Sequence, residues 1–82
     1  MYPRVKKVKP EKYYKLKITF NNNEVKVFDM NRYLNFGIFS ELKDIKYFCQ
    51  VKPFYGTISW PHGQDICPDT LYKDSVLTSQ ST

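Results

Sequence analysis

The sequence predicts an α+β fold: a small antiparallel β-sheet, made of an N-terminal three-stranded meander and a C-terminal strand pair, with short helices. Three observations carry this expectation. Leu16, Ile18 and Phe20 alternate with Lys15, Lys17 and Thr19, the period of two of a half-buried strand. Asp29 and Asp44 stand before apolar runs too short to be stable helices by themselves, so packing on a sheet must complete them. The nineteen residues 54–72 compress two turns, a strand and a helix start.

Taken in order, Val5 and Val8 mark a first strand whose spacing of three breaks strict alternation and predicts a bulge. Pro10-Glu11-Lys12 then turns the chain. The second strand passes through Asn21-Asn22-Asn23 into Glu24-Val25-Lys26-Val27-Phe28. A two-residue turn at Asn22-Asn23 pairs Phe20 with Val25 and Ile18 with Val27 on one face, leaving Lys15, Lys17, Lys26 and Phe28 on the other. Asn enters the left-handed region more readily than any residue except Gly, which suits this turn. Asp29 caps a turn over 30–34, Gly37 interrupts, 38–42 begins a second helical piece, and Asp44 caps a third over 45–50. Strand character returns at 50–52 and 57–60, with Pro53 placing the first of these at an end or edge. Pro61-His62-Gly63 is a tight turn. Pro68 at the first helical position and Asp69 in the first turn open a helix over 70–73. One domain spans 1–76, and 77–82 reads as a disordered tail.

Eighty-two residues make one domain, burying somewhat over about 60% of its unfolded surface. Seven Tyr and six Phe supply bulk that Leu and Ile supply elsewhere. Two cysteines permit at most one disulfide, the first residues lack the apolar run of a secretory signal, and no stretch is long and apolar enough to cross a bilayer. A soluble, cytoplasmic protein with no membrane partner is expected. Residues 1–26 hold eight of the thirteen cations against two carboxylates, whereas the remainder is nearly balanced. Such asymmetry marks a surface for an acidic partner, or simply keeps exposed strands from aggregating.

His62 with Asp65 and Asp69 is the nearest approach to an acid–base group. Asp65 between a Gly turn and a helix suits a carboxylate accepting backbone N–H bonds, and Cys67 before Pro68 suits a small cap residue. Cys49, Cys67 and His62 lack the paired spacing of a zinc site, and Gly37, Gly56 and Gly63 are too scattered for a phosphate loop. No metal, cofactor or catalytic residue is assigned.

The motifs Met1-Tyr2-Pro3-Arg4-Val5, Leu16-x-x-Thr19-Phe20, Val27-Phe28-Asp29, Tyr33-Leu34 and Phe39-x-Glu41-Leu42, together with Gly56, Trp60, Pro61, Gly63, Asp65, Pro68, Asp69, Leu71 and Tyr72 in order, resemble the bacterial family called domain of unknown function 2442. The resemblance implies a compact α+β domain with no established activity, fused in some members to a helix-turn-helix domain. It also implies gene neighbours resembling domain of unknown function 4160, in an arrangement like toxin–antitoxin pairs. His62 stands where the family commonly has Asn, and Asn23 where it commonly has Gly. Both keep residues that enter the left-handed region. The expected function is therefore a non-catalytic protein–protein interaction module, possible antitoxin-like partner of a toxin-like protein. Its contact surface is Arg4, Lys6, Lys7, Lys9, Lys15, Lys17, Lys26 and Phe28. The alternative is a nucleic-acid-contacting or transcription-associated accessory domain, its aromatics at Phe28 and Tyr13 sharing the lysine face. A monomer and a homodimer are both compatible with the sequence.

Overall fold

Alternation in the first half of the chain produces the expected meander, and the computed structural model describes residues 2–77. Strand β1 (Val5–Glu11) pairs antiparallel with β2 (Lys15–Phe20), and β2 with β3 (Val25–Asp29). The predicted bulge is present: Val5 lies opposite Phe20 and Lys7 opposite Thr19, so Lys6 is the extra residue. β1 runs on through Pro10 to Glu11, and the chain turns two residues later than expected, over Lys12–Tyr14.

The register of the first hairpin corrects the sequence reading. The Phe20 N–H donates to Glu24 O (2.9 Å) and the Asn23 N–H to Phe20 O (2.9 Å), with Asn23 at φ 72°. The loop therefore holds three residues, and Thr19 faces Val25, Ile18 faces Lys26, and Leu16 faces Phe28. Because side chains alternate with period two, a one-residue slip exchanges the faces. Lys26 and Phe28, expected on the outer basic face, are buried at 8% and 1% exposure, while Val25 and Val27 turn outward. The same bonding recurs at the second tight turn, where Trp60 exchanges bonds with Gly63 and Gln64 and Gly63 sits at φ 97°.

Asp29, Gly37 and Asp44 punctuate the middle as expected. Asp29 Oδ1 accepts from the Asn31 N–H, a single 3₁₀ turn covers Asn31–Tyr33, a seven-residue 3₁₀ segment covers Gly37–Lys43, and Asp44 caps helix α1 (Ile45–Phe48) by accepting from the Lys46 N–H. β4 (Lys52–Phe54) and β5 (Thr57–Ser59) form a separate two-stranded sheet joined by Tyr55-Gly56, both at positive φ, a tight turn of the kind that favours Asn-Gly. Helix α2 (Pro68–Asp74) starts at Pro68 as predicted. A further strand, β6 (Val76–Leu77), pairs with β3 and completes a sheet of order β1-β2-β3-β6. Leu77 therefore belongs to a strand, whereas the rest of the expected tail lies outside the described residues.

One face of the main sheet carries the core. Leu16, Ile18, Phe20 and Phe28 meet Met30, Leu42, Phe48, Ile58, Trp60 and Leu71, all at most 2% exposed. The Trp60 indole N–H donates to Phe48 O (2.9 Å), which ties the second tight turn to α1. On the far side of β1 the Val5 N–H donates to Gly56 O (3.0 Å), and Pro10 brings no N–H.

Candidate interaction surface

On the opposite face of the sheet the lysines are exposed, with no helix against them among the described residues, and strand alternation decides what the face presents. Lys7, Lys9 and Glu11 of β1 lie beside Lys15, Lys17 and Thr19 of β2, followed by Val25 and Val27 of β3 and Val76 of β6. Lys7, Lys9, Lys15 and Lys17 are all exposed. Lys9 stands directly opposite Lys17, a placement that costs stability because like charges meet across the strands. No lysine or arginine among the described residues forms an ion pair; the single carboxylate pairing is between His62 and Glu41. The face thus grades from positive charge at Lys7, Lys9 and Lys17, with Lys15 set between Glu11 and Asp29, to half-buried valine at β3.

Of the remaining predicted surface residues, Lys6 projects from the bulge and Arg4 lies elsewhere. The Arg4 guanidinium packs over Gly56, where any Cβ would approach it to 3.1 Å. Lys26 does structural work instead. Its ammonium donates to Tyr72 O (2.8 Å) and sits 3.7 Å from the centre of the Tyr72 ring. The Tyr72 hydroxyl in turn donates to Glu24, and its ring meets Phe20 edge-on at 5.0 Å. This Tyr72 hydrogen bond, with one from Asn22 and the nearby Lys26 charge, holds the Glu24 carboxyl below its ordinary value against a smaller desolvation effect; the same bond raises the Tyr72 phenol. Both shifts favour the folded state between their titrations. The Glu24 contribution is complete above pH 4.5 and is lost as pH falls through the depressed folded value, and the Tyr72 contribution is lost above pH 10. Thermal unfolding of Tyr72→Phe should lie below the parent at pH 7 and converge on it towards pH 3. A constant gap across that range would refute the linkage.

At the end of the sheet, beside Lys9 and Lys15, an open groove of about 1090 Å³ runs between the β1–β2 turn and α1, lined chiefly by Pro10, Tyr13, Ile45 and Phe48. Its turn is strained, because Tyr13 and Tyr14 both adopt left-handed backbone (φ 62° and 59°). Each bulky residue there costs roughly 1–2 kcal/mol relative to ordinary backbone. For Tyr14 the packing explains it: the hydroxyl donates to Lys43 O, the ring meets Phe48 edge-on at 5.3 Å, and its carbonyl accepts from the Met30 N–H. Tyr13 has no such return. Its carbonyl accepts from Asn31 Nδ2 (2.7 Å), but the residue is 78% exposed.

His62 does not meet Asp65 or Asp69. The second tight turn points it at the 3₁₀ segment instead, where Nδ1 lies 2.6 Å from Glu41 Oε2 and its ring stacks on Tyr47. Glu41 also accepts from Gln64 Nε2, Tyr47 donates to Gln64 Oε1 (2.6 Å) and accepts from the His62 N–H (2.9 Å). The buried amide of Gln64 is thereby satisfied, and the turn is fixed. Ser40, in the same shallow cleft, donates to Gly37 O and not to the histidine. Among the described residues the arrangement is a carboxylate–histidine pair without a partnered nucleophile. Asp65 bridges Ser59 through its backbone, and its carboxylate makes no hydrogen bond among the described residues, contrary to expectation. Thr57 supplies the link instead, donating to Ile66 O. Gly56 and Gly63 occupy positive φ, Pro61 is exposed in its turn, Pro68 and Asp69 start α2, and Leu71 is fully buried. Cys67 stands at the N-cap position of α2, exposed and making no side-chain capping bond, and the nearby N–H groups of Thr70 and Asp69 hold its thiol below its ordinary value.

No three His, Cys, Asp or Glu side chains among the described residues converge as metal ligands, and no helix is long and apolar enough to cross a membrane. A family model described as "Protein of unknown function (DUF2442)" matches residues 5–76. No curated protein and no solved structure matches the chain.

Proposed function

We propose, from the premise that this chain belongs to the DUF2442 family of proteins of unknown function, that it is a non-catalytic protein–protein interaction module whose partner docks on the lysine face of the sheet. One observation carries the reading: Lys9 and Lys17 are held opposite each other with no carboxylate among the described residues paired to either. A face retained at a cost to the fold is a face with another use. An acidic partner relieves the repulsion on binding, and the adjoining Val25, Val27 and Val76 supply apolar contact area. The partner this suits is another small cytoplasmic protein, such as the toxin-like half of an antitoxin-type pair resembling domain of unknown function 4160.

Lys17→Glu separates use from stability. Placed opposite Lys9, the carboxylate should raise the unfolding free energy by about 0.2–1 kcal/mol, while recovery of the partner from native cells should fall. Binding that survives Lys17→Glu would reject the face. The alternative reading, a nucleic-acid-contacting accessory domain, draws on the same lysines and on exposed Tyr13. In that case affinity for an oligonucleotide must fall log-linearly with added salt.

A further inference from the structure

The groove adjoins the end of the lysine face, sharing Lys9 and Lys15 with it and adding Tyr13, Ile45 and Phe48. Its floor is Phe48, one wall is α1 with Ile45 53% exposed, and the other is the turn that holds Tyr13 out in strained backbone. Lys9, Lys12 and Lys15 rim it, with Glu11 as the one carboxylate along its lining. Strain at an exposed aromatic side chain with no packing to account for it points to a contact made with another molecule. The rim selects for negative charge and the floor for an apolar side chain. A peptide that places a Leu or Phe between carboxylates satisfies both, since its anchor covers Tyr13, Ile45 and Phe48 while its acids reach the three ammonium groups.

We propose that this groove is a docking site for a short acidic segment of the partner protein bearing one apolar anchor. The inference rests on the interaction reading above and deepens it by naming the chemistry recognised. Nucleic acid has the charge but not the apolar anchor, and it enters as an outcome of the test.

The experiment titrates the isotopically labelled full chain with a fluorescent peptide panel in which Leu, Phe or Trp is flanked by Glu and Asp. The same anchors flanked by Lys, and a dodecamer of thymidine, serve as competitors. Expected are amide shifts at Lys12, Tyr13, Ile45 and Cys49, no binding of the lysine peptides, and at least a tenfold loss of affinity in both Tyr13→Asn and Ile45→Glu. The unfolding midpoint of Tyr13→Asn should be unchanged or raised, since Asn accepts positive φ, so its loss of binding cannot be a loss of folding. Three results would overturn the proposal: no binding by any acidic peptide, shifts confined to the Lys7 and Lys17 rows, or displacement of the peptide by the oligonucleotide at lower concentration. With the whole partner, binding lost in Lys17→Glu but kept in Tyr13→Asn removes the groove and leaves the face standing. Binding kept in both variants removes both.

Discussion

Trp60→Ala should lower the unfolding free energy by about 3–5 kcal/mol, the usual cost of deleting a buried aromatic side chain. A domain of 82 residues has a total of roughly 4–12 kcal/mol to lose. Trp60 is 2% exposed, its ring lies 6.1 Å from that of Phe48, and its indole N–H satisfies Phe48 O. Removal opens a cavity between α1 and the second tight turn and leaves that carbonyl only the longer bond from the Val51 N–H (3.4 Å). Urea titration should find the midpoint lowered by at least about a quarter. Trp60→Phe fills most of the space but not the hydrogen bond, and should fall between the two. A midpoint for Trp60→Ala within experimental error of the parent would mean that the turn is not anchored to α1 as described.

Lys26→Glu should be the most damaging charge reversal in the chain, at about 3–5 kcal/mol. Its ammonium is buried between Tyr72 O and the Tyr72 ring, with Glu24 close by. A carboxylate there loses its acceptor and its ring contact and faces like charge. Lys15→Glu and Lys17→Glu, on the exposed face, should stay folded with changes within about 0.5–1 kcal/mol. The near-ultraviolet dichroism of the tyrosines and Trp60 reads this directly: collapsed in Lys26→Glu, retained in the other two. Any variant that combines all three reversals would therefore lose its partner by unfolding and report nothing about the binding face.

The case of Lys26 explains how much of the fold can be read from the chain. The alternation of Leu16, Ile18 and Phe20 admits one phase, so β2 and its buried face follow from local pattern. Val25-Lys26-Val27-Phe28 admits two, since apolar residues occupy both phases. Three consecutive asparagines serve a two-residue and a three-residue loop equally well. The choice is made by Tyr72, 46 residues further on, whose carbonyl and ring accept the lysine head while its aliphatic stem packs inward. The caps at Asp29 and Asp44 and the start of α2 at Pro68 were legible because capping chemistry acts within a few residues. The Glu41–His62 pair and the two-residue strand β6 were not, because each depends on contacts between distant parts of the chain. The strained turn is a separate case. Left-handed backbone announces itself through Gly and Asn, and Tyr13-Tyr14 carries neither signal, so the exposed ring came to light only with the backbone angles.

The outer strand of the main sheet also governs how the protein behaves when concentrated. An extended chain laid along the free side of β1 finds the Val5 N–H already engaged by Gly56, a kink at Lys6 and no donor at Pro10. Cross-β growth needs a straight, repeating ladder of donors and acceptors to copy. β1 interrupts that ladder at both ends, so fibril seeding from this side is blocked by the backbone itself.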